Sequence, residues 1–368
     1  MSAADGGVLD ELRSVAREVL GHERDDDGPA WSLLAELGWL GLEGPEALGG
    51  AGAGLAEVAV VVEELGRAAA AGPYLGGVVL GVGTLNGLAP GDGRDELLRQ
   101  VVAGRTTVAV ALVDGDRSDD LDTTATPFRL ERSDGAIRVH GRAAFVPDAP
   151  VADRLLLLVS DPDADLDAGP VVVALDRHAA GLEVVDQSLL DETRRFATVT
   201  AAGVEVDDDA VWTFAGDPSA GATALFDRAA LAVAIDGLGL GRAMLDATVE
   251  YAKVREQFGR PIGSFQAVKH ACADMAVQIA VAQELIGAAV EQVAAGGRGA
   301  SVAVSMAKAY AGPAAVAVAG KAMQLHGGIG YTWESGIHAY LKRAALDEAL
   351  FGSARLHRRR LARRYPGP

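Results

Sequence analysis

Val254-Arg255-Glu256-Gln257-Phe258-Gly259-Arg260-Pro261-Ile262 breaks an apolar helical pattern that begins near Ala220, and Gln324-Leu325-His326-Gly327-Gly328-Ile329-Gly330-Tyr331 breaks another further along. Both are stop-signal chemistry. The first places a cation, an aromatic ring, a glycine and a proline where a helix must end, and leaves Arg255 and Phe258 free at the turn. The second closes on Gly327-Gly328, where a backbone without Cβ atoms can come close to a ligand. Mostly Ala, Val and Leu lie between them, so the two breaks suit two walls of one site for an anionic ligand.

Outward from these breaks the pattern stays helical. Four segments, Ala220 to Arg255, Ser264 to Ala295, Ala300 to Leu325 and Ile337 to Arg364, predict a C-terminal four-helix bundle over 216–368. Pro313 should kink the third segment or mark its first turn. From 106 to 215 the texture changes to short Val and Leu runs: Val108 to Val113, Ile137 to Val139, Leu155 to Val159, Val171 to Leu175, Phe196 to Val199 and Val204 to Val206. Separated by Asp, Gly and Pro, they predict a middle antiparallel β domain. In 1–105 apolar residues recur at three and four, as in Leu9, Leu12, Val15 and Val19, which predicts an N-terminal helical domain. The fold class is therefore α+β, in three parts.

Composition narrows the function. Against 33 basic residues stand 51 acidic ones, a net charge of −18 that repels nucleic acid and anionic membranes. The one basic cluster, Arg355 to Arg364, closes the last helical pattern, where cations favour the helix dipole. A single cysteine, Cys272, excludes an intramolecular disulfide and an all-Cys metal site, and fits a reducing compartment. The opening Met-Ser-Ala-Ala-Asp lacks the pattern of a signal peptide, so the cytoplasm is expected. Val302 to Ala322 contains Lys308, Pro313 and Lys321 and reads as a buried bundle helix, so no membrane span is expected. The seven histidines show no paired ligand spacing and no Gly-x-Ser-x-Gly occurs, so no metal or serine-hydrolase site is expected.

The first break, continued through Pro261-Ile262-Gly263-Ser264-Phe265-Gln266, and the second together resemble the acyl-CoA dehydrogenase family. The order helical domain, β domain, bundle matches that family over nearly the whole length. The resemblance implies FAD, with its ADP half held across a subunit boundary by Arg255, Gln257, Phe258, Phe265, Gln266, Gln324, His326, Gly327 and Gly328. Arg255 would fork onto the pyrophosphate. On residue chemistry alone, Arg255 serves equally as a helix cap, Phe258 as core filling and His326 as a buried histidine. The resemblance also implies an acyl-CoA substrate, an electron-transfer flavoprotein as acceptor, and a homo- or heterotetramer.

Elsewhere the chain departs from the family. The family's Thr-Glu-Pro-x-Ala-Gly-Ser-like turn corresponds to Leu112-Val113-Asp114-Gly115-Asp116-Arg117-Ser118, and its Trp-Ile-Thr-like strand to Phe145-Val146-Pro147. Pro147 offers no donor where the family's Thr bonds flavin N5. The family's catalytic Glu positions fall on Phe351 and, on an earlier helix, Ala229. Asp236, seven residues beyond Ala229 on roughly the same helical face, is the candidate base. Its apolar setting would desolvate it, and the adjacent glycines would admit an acyl chain; the alternative is an ion pair with Arg242. Asp191 and Glu192 read as a surface turn, and Glu334 as a partner of Lys342 or Arg343. Three functions follow: an acyl-CoA dehydrogenase, acting on a bulky or steroid-derived thioester; a non-catalytic partner subunit completing the FAD site of a paralogous chain; or a flavin oxidase or hydroxylase on the same fold.

Overall fold

A computed structural model describes residues 3–22, 28–115, 126–133, 135–162, 169–332 and 335–364. The chain divides into two compact units whose limits cut across the three sequence segments: 1–26, 59–70 and 230–368 form one, 27–58 and 71–229 the other.

The second unit is built on an eight-stranded sheet. Its strands are β1 (Val108–Ala111), β2 (Phe128–Ser133), β3 (Ala136–Pro147), β4 (Arg154–Ser160), β5 (Pro170–Asp176), β6 (Leu182–Gln187), β7 (Phe196–Val206) and β8 (Val211–Trp212). They are ordered β6-β7-β3-β2-β4-β5-β8, with β1 beside β4. The sheet is mixed, since β1 and the start of β2 both run parallel to β4 while the other pairs are antiparallel. Leu155 to Val159 of β4 is buried on both faces, which explains its unbroken apolar run. The two runs Phe196 to Val199 and Val204 to Val206 are one strand.

Helix α2 (Trp31–Glu36), the apolar helix α4 (Leu75–Gly87) and α5 (Asp92–Val102) belong to this unit. No periodicity announces α4, because it is apolar all round. Its first eight residues wind as a π-helix and are all buried. Gly81 lets it meet β1, since a Cβ there would lie 2.2 Å from Val108 Cγ2.

The first unit is helical: α1 (Ala3–His22), most of α3 (Leu55–Ala68), α6 (Pro218–Val254) from Ala230 onward, α7 (Gln266–Ala294), α8 (Ala300–His326), α9 (Ile337–Ala349) and α10 (Ala354–Arg364). The fourth predicted helix is thus two, because Phe351 and Gly352 adopt φ of 52° and 91°, which no helix continues. Helix α8 runs through Pro313 and is buried on most sides, as its alanines allow. Both α7 and α8 are long and apolar enough to cross a membrane. Most of α8 is inside the unit, whereas α7 leaves Val277 and Val281 exposed.

Helices α3 and α6 cross at glycines. A Cβ on Gly66 would lie 2.3 Å from Asp236 O, and one on Gly239 only 2.0 Å from Glu63 O. Ion pairs frame the crossing: Arg17 meets Glu64 at 2.7 Å, Arg13 meets Glu63 at 3.3 Å, and Arg242 also reaches Glu63. The glycines beside Asp236 therefore admit a neighbouring helix, where the sequence reading had them admit an acyl chain.

Gly239→Ala should lower unfolding free energy by about 1–3 kcal/mol, because a methyl must displace backbone. Gly320→Ala in α8, where a Cβ meets nothing within 4 Å, should raise stability by up to about 1 kcal/mol. Urea unfolding of the two variants checks both signs.

Candidate functional site

The two helix-end blocks lie at one end of the bundle. Arg255 N donates to Tyr251 O at 2.9 Å as α6 ends. The chain then folds into a two-stranded hairpin, β9 (Glu256–Gln257) against β10 (Arg260–Pro261). Phe258 and Gly259 occupy its tip with φ of 53° and 74°, the left-handed pair that a two-residue hairpin turn requires. A phenylalanine is costly there. Phe258 is nonetheless 92% exposed, touching Phe265 edge-on at 6.1 Å, while Arg260 lies 4.1 Å above the Phe265 ring. Arg255, Gln257 and Gln266 are exposed, and Ile262 N closes the loop onto Arg255 O at 2.7 Å.

Helix α8 reaches the same end. His326 stacks on Tyr251 at 4.4 Å between ring centroids, and Tyr251 Oη donates to His326 O at 3.4 Å. This stack joins the two helix ends, and the sequence reading missed Tyr251. Its signal was an aromatic one helical turn before Arg255. His326 is buried, and its Nδ1 bonds Ala322 O at 2.8 Å, which only a protonated nitrogen can do. One of the two ring nitrogens is thus committed to the helix. Gln324 is exposed and accepts from Lys321 Nζ at 2.9 Å. Gly327 and Gly328 are exposed, with open space where a Cβ would be. Exposed guanidinium, amide, aromatic and glycine groups at one end fit a nucleotide diphosphate approaching from outside the chain.

Asp236 has a different place. It is 1% exposed, and its Oδ1 and Oδ2 accept from Arg343 Nη2 and Nε at 2.6 and 2.9 Å. Arg343 Nη1 also donates to Ala70 O at 2.6 Å. Arg242, the partner weighed from the sequence, binds Glu63 and Gln283. Proton uptake by Asp236 would break two charge-assisted bonds and strand a buried guanidinium. Ala229 and Phe351 are both buried and cannot accept a proton.

In the second unit, β3 bulges against β7 between Ala143 and Val146, and Phe145 takes φ of 55°. The bulge turns two amides away from the ladder. Ala144 N donates to Asp114 Oδ1 at 3.1 Å and Phe145 N to Gln187 Oε1 at 2.7 Å. With Pro147 donorless and both amides occupied, this strand does not fit the ring of a flavin. Asp191 is buried, where a surface turn was expected, and its Oδ1 accepts from Thr193 N and Oγ1 at 3.0 and 2.8 Å within a local turn; Glu192 is exposed. Asp116 to Ser118 and Glu334 lie outside the described residues.

Around Phe351 the first unit holds buried polar groups. Lys308 Nζ donates to Asp347 O and Glu348 O at 2.7 and 2.8 Å, capping the end of α9, and burial pulls its ammonium down to about 8. His357 Nε2 meets Phe351 O at 3.0 Å and Nδ1 meets Ser305 Oγ at 3.3 Å. A carbonyl only accepts, so Nε2 carries the proton. Burial lowers the ring to about 3, against the hydrogen bond to Phe351 and aided by Lys308 and Arg360. The left-handed turn is therefore clamped from two helices.

Comparison with known proteins identifies the family. The models of the acyl-CoA dehydrogenase N-terminal domain and C-terminal domain match residues 5–105 and 220–365. Acyl-CoA dehydrogenase IpdE2 of Mycolicibacterium smegmatis is 32% identical over 351 residues, 95% of this chain and 91% of that protein. A Tcur3481–Tcur3483 steroid ACAD variant superposes with a TM-score of 0.85 at 28% identity, covering 97% of each chain. The ChsE4–ChsE5 complex from Mycobacterium tuberculosis gives 0.84 at 27% identity, covering 100% of this chain and 99% of that one.

The clamp has a pH signature. The folded ring stays neutral down to about 3 whereas the unfolded ring protonates near 6.5, so its contribution is complete above 6.5 and lost as pH falls towards 3. The urea midpoint should fall between pH 7 and pH 5, and fall less in His357→Gln.

Proposed function

The chain belongs to the acyl-CoA dehydrogenase family, and we propose that it is the subunit of a hetero-oligomeric dehydrogenase that completes the FAD site of a paralogous chain. The carrying observation is a contrast within one unit. The diphosphate-facing residues Arg255, Phe258, Gly327 and Gly328 are exposed, while the one acid offered as a base is locked to Arg343.

Arg255, Gln257, Phe258, Gln324, Gly327 and Gly328 would hold the ADP half, with Phe265 and Gln266 supporting the hairpin and His326 packed behind it on Tyr251. When bound, FAD supplies the acceptor for hydride from the acyl β carbon. This chain's residues orient the diphosphate and exclude water from it; the base and the seat of the ring come from the paralogous chain. The strand carrying Pro147 supports that division, since its nearest amides already serve Asp114 and Gln187. So does the exposed apolar stretch of α7 at Val277 and Val281, which a second subunit would cover.

The relatives named for steroid chemistry and for two-chain complexes support a bulky, steroid-derived acyl-CoA as substrate and an assembly of unlike chains, a heterotetramer. An electron-transfer flavoprotein as acceptor and a cytoplasmic address complete the reading.

Expressed alone, the protein should be colourless; co-expressed with its paralogous dehydrogenase chain, the complex should be yellow. Arg255→Ala should weaken FAD retention by about tenfold to a hundredfold, the loss of one charged hydrogen-bond donor. Flavin content per complex after dialysis measures it. One FAD on each chain expressed alone overturns the reading.

A further inference from the structure

We infer that the arginine face of α10, joined by Arg298, is a docking surface for a carboxylate-rich surface of a partner protein. This inference does not depend on the flavin reading.

Helix α10 carries six arginines in eleven residues and no acid. Its apolar side, Ala354 and Leu356 with His357, is buried, and Arg355, Arg358, Arg359, Arg363 and Arg364 are exposed. Arg364 Nη2 donates to Arg298 O at 3.3 Å, which brings the exposed Arg298 of the α7–α8 connection to the same place.

The helix dipole accounts for only part of this. Arg363 and Arg364 sit in the last turn, where cations are favoured. Arg355 sits in the first turn, where the dipole opposes a cation, so the dipole does not explain it. Internal pairing does not either. Across the bundle, arginines find carboxylates: Arg17 with Glu64, Arg67 with Asp246, Arg343 with Asp236. Arg298, Arg355, Arg358 and Arg363 form no ion pair among the described residues. In a chain of 51 acids and 33 bases, such a concentration of unmatched guanidinium groups is a local inversion of charge.

Shape and chemistry select the occupant. The face of a helix is convex, unlike the concave sites that enclose small ligands. It offers no large exposed apolar residue to enter a bilayer. The net charge of −18 opposes a long polyanion that would extend past the patch. A protein surface bearing clustered Asp and Glu meets only the patch, within a screening length of about 8 Å. Guanidinium forks match carboxylates in pairs.

The test is fluorescence anisotropy of the full chain with a labelled glutamate-rich peptide at low salt, beside phosphatidylserine vesicles and a DNA duplex. Wild type should bind the peptide in preference to both, and binding should vanish at high salt. The variant Arg355→Glu, Arg358→Glu, Arg363→Glu should bind about tenfold more weakly or worse with an unchanged melting temperature, since three exposed charge pairs are reversed. No binding by wild type, equal binding by the variant, or preference for vesicles or duplex overturns the inference.

Discussion

The buried pair between Asp236 and Arg343 is the constraint on which the rest of the bundle turns. It ties the middle of α6 to α9, and the third guanidinium bond reaches Ala70 O just past the end of α3. Neither charge survives burial alone, so each helix is placed by the other's need for a partner. The close crossing at Gly66 and Gly239 is what lets α3 come near enough to share in it. Packing and electrostatics thus specify the same arrangement, and Asp236 is part of it.

The proposed division of function builds on this constraint. In the proposed reading an acid bound by a forked guanidinium does not serve as the base, and the positions that the family resemblance gives to Glu hold Ala229 and Phe351. The turn bearing Phe351 is nevertheless well made, held by Lys308 and His357 from neighbouring helices. An ordered turn without an acid at Phe351, and an exposed hairpin and glycine-bearing helix end elsewhere in the same unit, are the features on which the proposed helper role rests. The stack of Tyr251 on His326 makes those two outward elements one surface.

Much of this was legible in the sequence, for local reasons. Gly259, Pro261 and Gly327 announce helix ends because their backbone chemistry forbids continuation, and β1, β3, β4, β5 and β7 follow from apolar runs between turn residues, whereas β2, β6 and β8 have no such run. What escaped was non-local or silent. Nothing near Asp236 names a partner 107 residues away. Helix α4 shows no amphipathic period because it is buried all round, and the parallel placement of β1 against β4 depends on pairing across forty residues and more. The break at Phe351 was missed because phenylalanine is not a residue expected in a left-handed turn; only Gly352 hinted at it. The two helix-end blocks were visible as breaks and lie exposed at one end of the bundle, whereas the burial expected at Asp236 comes with an ion pair to Arg343 that no local pattern announced.

The most direct measurement replaces both members of that pair, Asp236→Leu with Arg343→Leu, in the complex with the paralogous chain, and follows anaerobic flavin reduction by an acyl-CoA thioester. Losing one partner of a buried pair costs about 3–5 kcal/mol, whereas exchanging both for apolar groups is often neutral, so the double variant isolates chemistry from folding. The account predicts a folded complex whose flavin is reduced at the wild-type rate. A folded complex in which reduction is abolished would return Asp236 to the reaction and contradict it.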